Sequence, residues 1–396
     1  MKRLLRISFD ALLTSVFPIL SWLALSIILD KNLINVFSLT FPLQFVGWLL
    51  SVIFATGANI HKEKDKNDNA VMSGLVIASI IGFIVFSFIV MNVESYLQFM
   101  NVDINIYKEF TIYSVLQIYI GFIFSCIIER LYFEEKNTKA NKYTIIYNLI
   151  GLVSLVLFAL TVKERMLIVI LAVIARLVCA LVIVFRNFEK FKLQCNISKF
   201  IKYTSESALR LLMFSAIFLI GYRIAFSFGT EYVIALTFIG IISDTQWDII
   251  ITSITAVAKI DIAKNKFNYK EHIRNGYILC GLIIASMVVM AVCLWRFYEL
   301  PATFTFSLLC LEVYAFIIYP ISAINVCFLQ LDYSPKKTTA NQFIVHSLRG
   351  ICSFIKTPYN TTMGQIIGAT YELVSTNVIL RKNYIINREG VVEKKK

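Results

Sequence analysis

The sequence predicts an all-α polytopic membrane protein with twelve transmembrane helices in two pseudo-symmetric six-helix lobes. Three observations predict it: composition, the spacing of polar clusters, and a sparse repeat at half the chain length. Of the 396 residues, 58% are hydrophobic, 14% aromatic and only 16% charged, with a mean hydropathy of +0.74. A soluble domain has about 45–50% apolar and about 25% charged residues. Each membrane-crossing helix takes about 20 residues, so twelve of them leave room only for short loops. A soluble protein and a sizeable extramembrane domain are both excluded.

Polar clusters divide the chain into spans near residues 7–29, 34–60, 70–92, 109–128, 143–162, 166–185, 203–228, 232–257, 275–296, 303–330, 339–355 and 360–380. The first is read as a retained helix. Its apolar run is longer than that of a secretory signal and no small-residue cleavage site follows it. With the N-terminus in the cytoplasm, 28 of the 38 Lys and Arg residues fall on the inner side, in segments such as Lys62 to Lys66, Arg130 to Lys142 and Arg381 to Lys396. The positive-inside bias therefore puts both termini in the cytoplasm of a multi-pass protein of the cell membrane, the plasma or bacterial inner membrane. The net charge of +13 is spread over seven inner segments. That is a topology signal and a contact with anionic lipid, with no nucleic-acid partner. The eight cysteines lie mostly in apolar stretches without a CxxC pair, so neither a disulfide framework nor a metal site is expected.

Lys136-Asn-Thr-Lys-Ala-Asn141 and Lys336-Lys-Thr-Thr-Ala-Asn341 agree at four of six positions with an offset of 200. The same offset aligns Ala58-Asn-Ile60 with Ala258-Lys-Ile260, and Lys64 and Lys66 with Lys264 and Lys266. The chain is accordingly divided into an N-terminal lobe, 1–185, and a C-terminal lobe, 203–380. A cytoplasmic amphipathic linker, 186–202, joins them, and a basic cytoplasmic tail, 381–396, follows. An even number of spans per half relates the halves by an axis along the membrane normal. Phe185, Phe188 and Phe191 recur between lysines in and beside the linker, as in a helix lying on the membrane surface.

Charges at membrane depth cost at least about 2.5–3.5 kcal/mol each on insertion scales, so each needs a reason. The first half carries Asp10, Asp30 and Arg176; the second carries Arg210, Arg223, Asp244, Asp248, Glu312 and Glu372. Asp244 and Asp248 are four apart, share a helix face near mid-bilayer, and flank Gln246 and Trp247. Two such carboxylates cannot both ionise cheaply, so the pair is suited to exchanging a proton or holding a cation. The competing reading is structural pairing with Arg210, Arg223 or Arg176. At the 200-residue offset these acids fall on Gln44 and Trp48, a polar-aromatic face suited to a cationic or amphipathic solute. Gln44, Trp48, Gln246, Trp247, Arg210 and Glu372 are the candidate substrate contacts, and Glu312 is expected to approach water. Pro18 and Pro320 permit bending. Gly364-Gln-Ile-Ile-Gly368 reads as a close helix contact.

This pattern resembles the MATE family of multidrug and toxic-compound exporters, in the superfamily that also holds lipid-linked oligosaccharide flippases. The resemblance rests on the 6+6 plan, Pro18 and Asp30, Phe41-Pro to Gly57-Ala-Asn59, Glu129-Arg-Leu-Tyr-Phe-Glu-Glu-Lys-Asn137, and Asp244-Thr-Gln-Trp-Asp248. It implies a two-lobed antiporter that expels cationic or amphipathic small molecules in exchange for H⁺ or Na⁺, with no other cofactor. Family members often use an acid in the first helix, nearest to Asp30 here, and acids in the seventh and tenth. This chain has only Glu206 near the start of its seventh span and none in Tyr319-Pro-Ile-Ser-Ala-Ile-Asn325. Coupling is therefore assigned to Asp244 and Asp248, with Asp30 next. A lipid-linked oligosaccharide flippase is the alternative, and a polytopic membrane enzyme a third. The expected partners are the lipid bilayer and a small-molecule substrate, with the protein a monomer. Reporters fused after Lys66, Asn137, Lys264 and Lys337 should lie in the cytoplasm, and those at Asp103 and Pro301 outside. A reporter at Lys264 found outside would remove the two-half plan.

Overall fold

The computed structural model describes the chain from Phe17 to Lys395, apart from residues 18–19, 68, 135, 188–195, 230–231, 238, 240–242, 244–253, 255–256, 259–260, 263–265, 298–299 and 388. Within the described residues the chain is helical throughout, except for one short hairpin near the C-terminus. Among the described residues, seven helices are long and apolar enough to cross a membrane. The described chain divides into two compact units, Phe17–Arg223 and Ile224–Lys396.

In the first unit, residues 20–28 form a helix. Asp30 then caps a 3₁₀ turn, Lys31–Ile34, by accepting the backbone N–H of Asn32 at 2.9 Å. Helix α1 (Asn35–Leu50) follows, then a π-helical turn (Ser51–Thr56) and α2 (Gly57–Asp65), which together make one long rod. Next come α3 (Ala70–Met91), the short α4 (Val93–Phe99), α5 (Ile104–Phe133), α6 (Asn137–Thr161), α7 (Arg165–Asn187) and α8 (Ile197–Phe226). Val71, Leu75, Ala78, Gly82 and Phe86 line one buried stripe of α3, while Ile80, Phe83, Ile84 and Phe88 face outward. A helix that is apolar on its exposed side too belongs in lipid.

The second unit contains α9 (Tyr269–Phe297), α10 (Ala302–Phe328), α11 (Pro335–Ser353) and α12 (Asn360–Asn383). The helix starts repeat: Ala70, Ile104, Asn137 and Arg165 in the first set are answered by Tyr269, Ala302, Pro335 and Asn360, close to the offset of the sequence identities. Several helices run past the spans expected from hydropathy. Asn137 to Lys142 is helical, and α5 has 30 residues, roughly 45 Å at about 1.5 Å per residue. Hydropathy marks the part of a helix that lies in lipid, whereas backbone hydrogen bonding continues into the polar ends.

The basic tail is not all extended chain. Strand β1 (Tyr384–Ile386) pairs antiparallel with β2 (Val392–Lys394), Tyr384 opposite Lys394. Gly390 holds φ at 88°, a region that favours glycine. Its carbonyl accepts the N–H of Tyr269 at 2.9 Å, and Asn268 donates to the Glu389 carbonyl at 2.7 Å, so the hairpin is fastened to the start of α9. Tyr384 packs edge-on against Phe328.

Close backbone approach locks α2 into the first unit. A Cβ on Gly57 would lie 2.9 Å from the Phe200 carbonyl oxygen and 3.1 Å from its Cα. Gly57→Val should therefore cost about 1–3 kcal/mol, as overpacking against rigid backbone does, and lower the melting temperature in detergent. Gly281→Ala, where nothing lies within 4 Å, should leave it unchanged or raise it slightly.

Candidate functional site

The rod formed by α1 and α2 carries two different ladders. Toward α5 the ladder is polar. Asn35 donates to the Tyr107 hydroxyl at 3.1 Å, and Ser114 donates to Thr40 Oγ1 at 2.8 Å. Ser51 donates to Glu129 Oε1 at 2.9 Å and Thr56 to Glu129 Oε2 at 2.8 Å. The π-helical turn explains how one carboxylate reaches both hydroxyls. In an α-helix of 3.6 residues per turn, positions five apart diverge by about 140°; i→i+5 bonding brings them onto one face. Glu129 sits in the motif that carried the family resemblance, yet its site role is invisible to helical spacing, because the partners lie on a non-α turn.

Toward α8 the ladder is aromatic. The Phe41 ring meets Phe218 at 5.0 Å, and Phe45 stacks on Phe214 and Phe218, both at 5.6 Å. Trp48 abuts Phe45 at 5.0 Å and stays 43% exposed. Ser215 donates to the Pro42 carbonyl at 2.9 Å. Gln44 is half-buried on the same helix. Gln44 and Trp48 thus belong to one rod whose neighbouring aromatic row is made jointly with the seventh predicted span.

Each unit also packs an arginine against a glycine, buried in the first and half-buried in the second. Arg176 on α7 is 3% exposed, and a Cβ on Gly151 of α6 would lie 2.1 Å from its Nε. With its amide carbonyl turned toward the guanidinium, Gln117 accepts from Nη2 at 2.8 Å and Nη1 at 2.5 Å. The Tyr147 ring lies 5.4 Å from the guanidinium carbon. In the second unit the sides are exchanged: Arg349 comes from α11, and a Cβ on Gly368 of α12 would lie 2.6 Å from Arg349 Cγ and Nε. Gly364 faces the Arg349 backbone, with its carbonyl oxygen 2.9 Å from an ideal Cβ. The Gly364–Gly368 pattern is therefore a close helix contact. Arg349 was absent from the intramembrane charges named from sequence; it becomes conspicuous only once it is seen filling the space that Gly368 leaves.

Glu372 is 7% exposed on α12. It accepts from Ser322 at 2.7 Å and from Gln342, and its environment includes Arg349. Beside it, Asn325 accepts from the Tyr269 hydroxyl at 2.8 Å and donates to Asn377 at 3.0 Å. Glu312 is buried at 4% exposure and does not approach water as expected, because α10 turns that face into the helix packing. Arg223 lies over the Phe99 ring at 4.3 Å. Asp30 is half-buried at its cap. Arg210 lies within α8. Asp244, Gln246, Trp247, Asp248, Pro18 and Asp10 lie outside the described residues.

At the C-terminal end of the rod, Asp65 gathers Lys199 Nζ at 2.9 Å, the Tyr203 hydroxyl at 3.2 Å and the His61 ring. The hydrogen bond from Lys199 holds the Asp65 carboxyl below its ordinary value of 3.8, with His61 and Tyr203 adding to it against burial. A carboxyl lowered in the folded state stabilises it above the unfolded value, and that stabilisation is lost as pH falls through the lowered one. Melting temperature measured against pH should fall below the ordinary carboxyl range, and Asp65→Asn should flatten the part of the slope that this latch contributes.

No family model matches the chain, and no curated protein matches it. Solved structures do. A MATE multidrug transporter, DinF-BH, in complex with R6G shares 12% identity at a TM-score of 0.70, over 96% of this chain and 95% of that one. The outward-facing conformation of a multidrug resistance MATE family transporter of the MOP superfamily shares 13% at 0.68, over 96% and 95%. A MOP superfamily transporter from Pyrococcus furiosus, whose reversed binding-pocket polarity suggests a different function, shares 14% at 0.70, over 96% and 95%. At such identities the likeness is one of fold, and it extends over nearly the whole chain: this is an all-α, multi-pass membrane protein with the fold of the MATE transporters.

Proposed function

We propose that this chain is a secondary active transporter, not an enzyme, which exports cationic or amphipathic small molecules in exchange for H⁺ or Na⁺ by alternating access between two lobes. The observation that carries the reading is the aromatic row of Phe41, Phe45 and Trp48 against Phe214 and Phe218, with Trp48 partly open. Such a surface receives the apolar body of a solute while neighbouring polar groups orient its head. The fold supports it too, since both outward-facing and inward-facing MATE structures match over 96% of the chain. Gln44, Trp48, Gln246, Trp247, Arg210 and Glu372 are assigned to substrate. Asp244 and Asp248 are assigned to ion coupling, and Asp30 stands next.

The second reading, flipping of a lipid-linked oligosaccharide, is favoured by one observation: among the described residues no carboxylate pairs with the buried Arg176. It shares the fold and differs in the size of the cargo.

Everted vesicles with imposed H⁺ or Na⁺ gradients, loaded with a panel of fluorescent amphipaths, test the first reading. Gradient-dependent movement of at least one is expected, and movement of none removes the reading. Neutralising both Asp244 and Asp248 as Asn should lower gradient-dependent movement at least tenfold while the protein stays folded, because charge within an apolar stretch of sequence is removed. Full gradient dependence in a folded double variant would move coupling to Asp30.

A further inference from the structure

Among the described residues, Glu129 is held by hydroxyls and by no cation. Ser51 Oγ lies 2.9 Å from its Oε1, and Thr56 Oγ1 donates to its Oε2 at 2.8 Å. Ser125, four residues before Glu129 on the same face of α5, lies 3.1 Å from Ser51 Oγ and donates to the Phe122 carbonyl at 2.9 Å. The charged groups of the surrounding helices have other partners: Arg130 and Lys136 are paired with Glu134, and Lys199 and His61 with Asp65. Lys62 acts on Glu134, and Lys139 lies over the Tyr143 ring. Arg176 is bound by Gln117, roughly 18 Å from Glu129 along α5 at about 1.5 Å per residue. Helix α1, the turn Ser51–Thr56 and α3 bring no titratable side chain. The Cys126 thiol, on α5 itself, is the titratable neighbour that remains.

A count of hydrogens separates the two states of this cluster. The contacts Glu129 to Ser51, Ser51 to Ser125 and Ser125 to the Phe122 carbonyl form one row, and each contact needs one hydrogen. With Glu129 ionised the two serines supply only two, so one contact stays empty. A proton on Oε1 completes the row: the carboxyl donates to Ser51, the Ser51 hydroxyl turns to Ser125, and Ser125 keeps the Phe122 carbonyl. No other proton changes owner, and Thr56 donates to Oε2 in both states. We infer that Glu129 is a proton-binding site of the transport cycle, in addition to the acids already assigned to coupling, and that its proton closes the hydrogen-bonded row between the π-helical turn and α5. Glu129 is half-buried and about one turn from the polar end of α5, where its proton exchanges with solvent. The rod that it grips also carries Phe41, Phe45 and Trp48, so the proton acts on the helix that presents the aromatic row. The inference rests on the transporter reading and names H⁺ as an ion that the cycle binds.

Infrared difference spectroscopy of the purified full chain in maltoside detergent, with pH stepped from alkaline to acid, reads the C=O stretch of a protonated carboxyl. A band that develops in the wild type and is missing from Glu129→Gln is expected. At the pH where the wild-type band is half developed, Ser125→Ala should show it about threefold weaker, because the row that the proton completes has lost its end. Thr56→Val should show it stronger, because a donor that favours the ionised carboxylate is gone. Loosened packing would not give opposite signs at two neighbouring hydroxyls. Identical spectra for the wild type and folded Glu129→Gln overturn the site. If Glu129→Gln does not fold, the two hydroxyl variants decide, and no change, or changes of the same sign, overturns it. In everted vesicles Glu129→Gln should lower H⁺-driven movement of amphipaths at least tenfold, and full movement in the folded variant overturns the role in the cycle. A titrating Glu129 band in a protein that moves no amphipath along any gradient removes the transporter reading and leaves the proton site standing.

Discussion

Inside a bilayer a polar side chain has no water to turn to, and that constraint organises this molecule. The rod of α1 and α2 holds Asn35, Thr40, Ser51 and Thr56, each of which binds a group on α5. Interhelical hydrogen bonds of this kind contribute about 0.6–2 kcal/mol apiece. Their larger effect is on specificity, because a rotation of the rod would strand several polar groups at once. With the rod's polar face committed to α5, its aromatic face meets α8, and the surface proposed to receive a substrate follows from that choice.

Apolar packing between membrane helices has no hydrophobic drive, since lipid is as apolar as leucine, so close approach matters instead. Gly57 and Gly74 let α2 touch Phe200 and α3, with ideal Cβ positions under 3.0 Å from backbone oxygens. Gly151 and Gly368 do something different by making room for arginines. The repeat therefore preserves a device, one arginine packed beside one glycine, while the residues trade helices between the two sets. A comparison of identities at one offset does not register such an exchange, because neither residue aligns with its counterpart.

Charge is distributed accordingly. Glu129 accepts from two hydroxyls, Glu372 from a serine and a glutamine, and Asp30 from a backbone N–H. Each of these three carboxylates has its donors. Arg176 is set among neutral partners instead, with the Gln117 carbonyl on its terminal nitrogens and the Tyr147 ring beside it. The aromatic row and the arginine cradle are both built within Phe17–Arg223, so an apolar and a charged requirement are met inside one unit.

The sequence by itself determined the class, the approximate spans and the approximate repeat, because hydropathy and charge bias are local sums over neighbouring residues. It singled out Gln44, Trp48, Arg176 and Glu372 as intramembrane positions needing a reason, and read the Gly364–Gly368 contact correctly. Tertiary structure decided the rest. The joint grip of Ser51 and Thr56 on Glu129 requires a π-helical turn that no spacing announces. The hairpin after Asn383 depends on Asn268 and Tyr269, more than 100 residues earlier in the chain. That Arg176 meets Gly151, and that Arg349 meets Gly368, follows from which helix faces pack together, and no single helix states in its own sequence which partner face it will meet. Where every face of a helix is apolar, periodicity carries little information about which face turns inward; shape and the few buried polar bonds choose it.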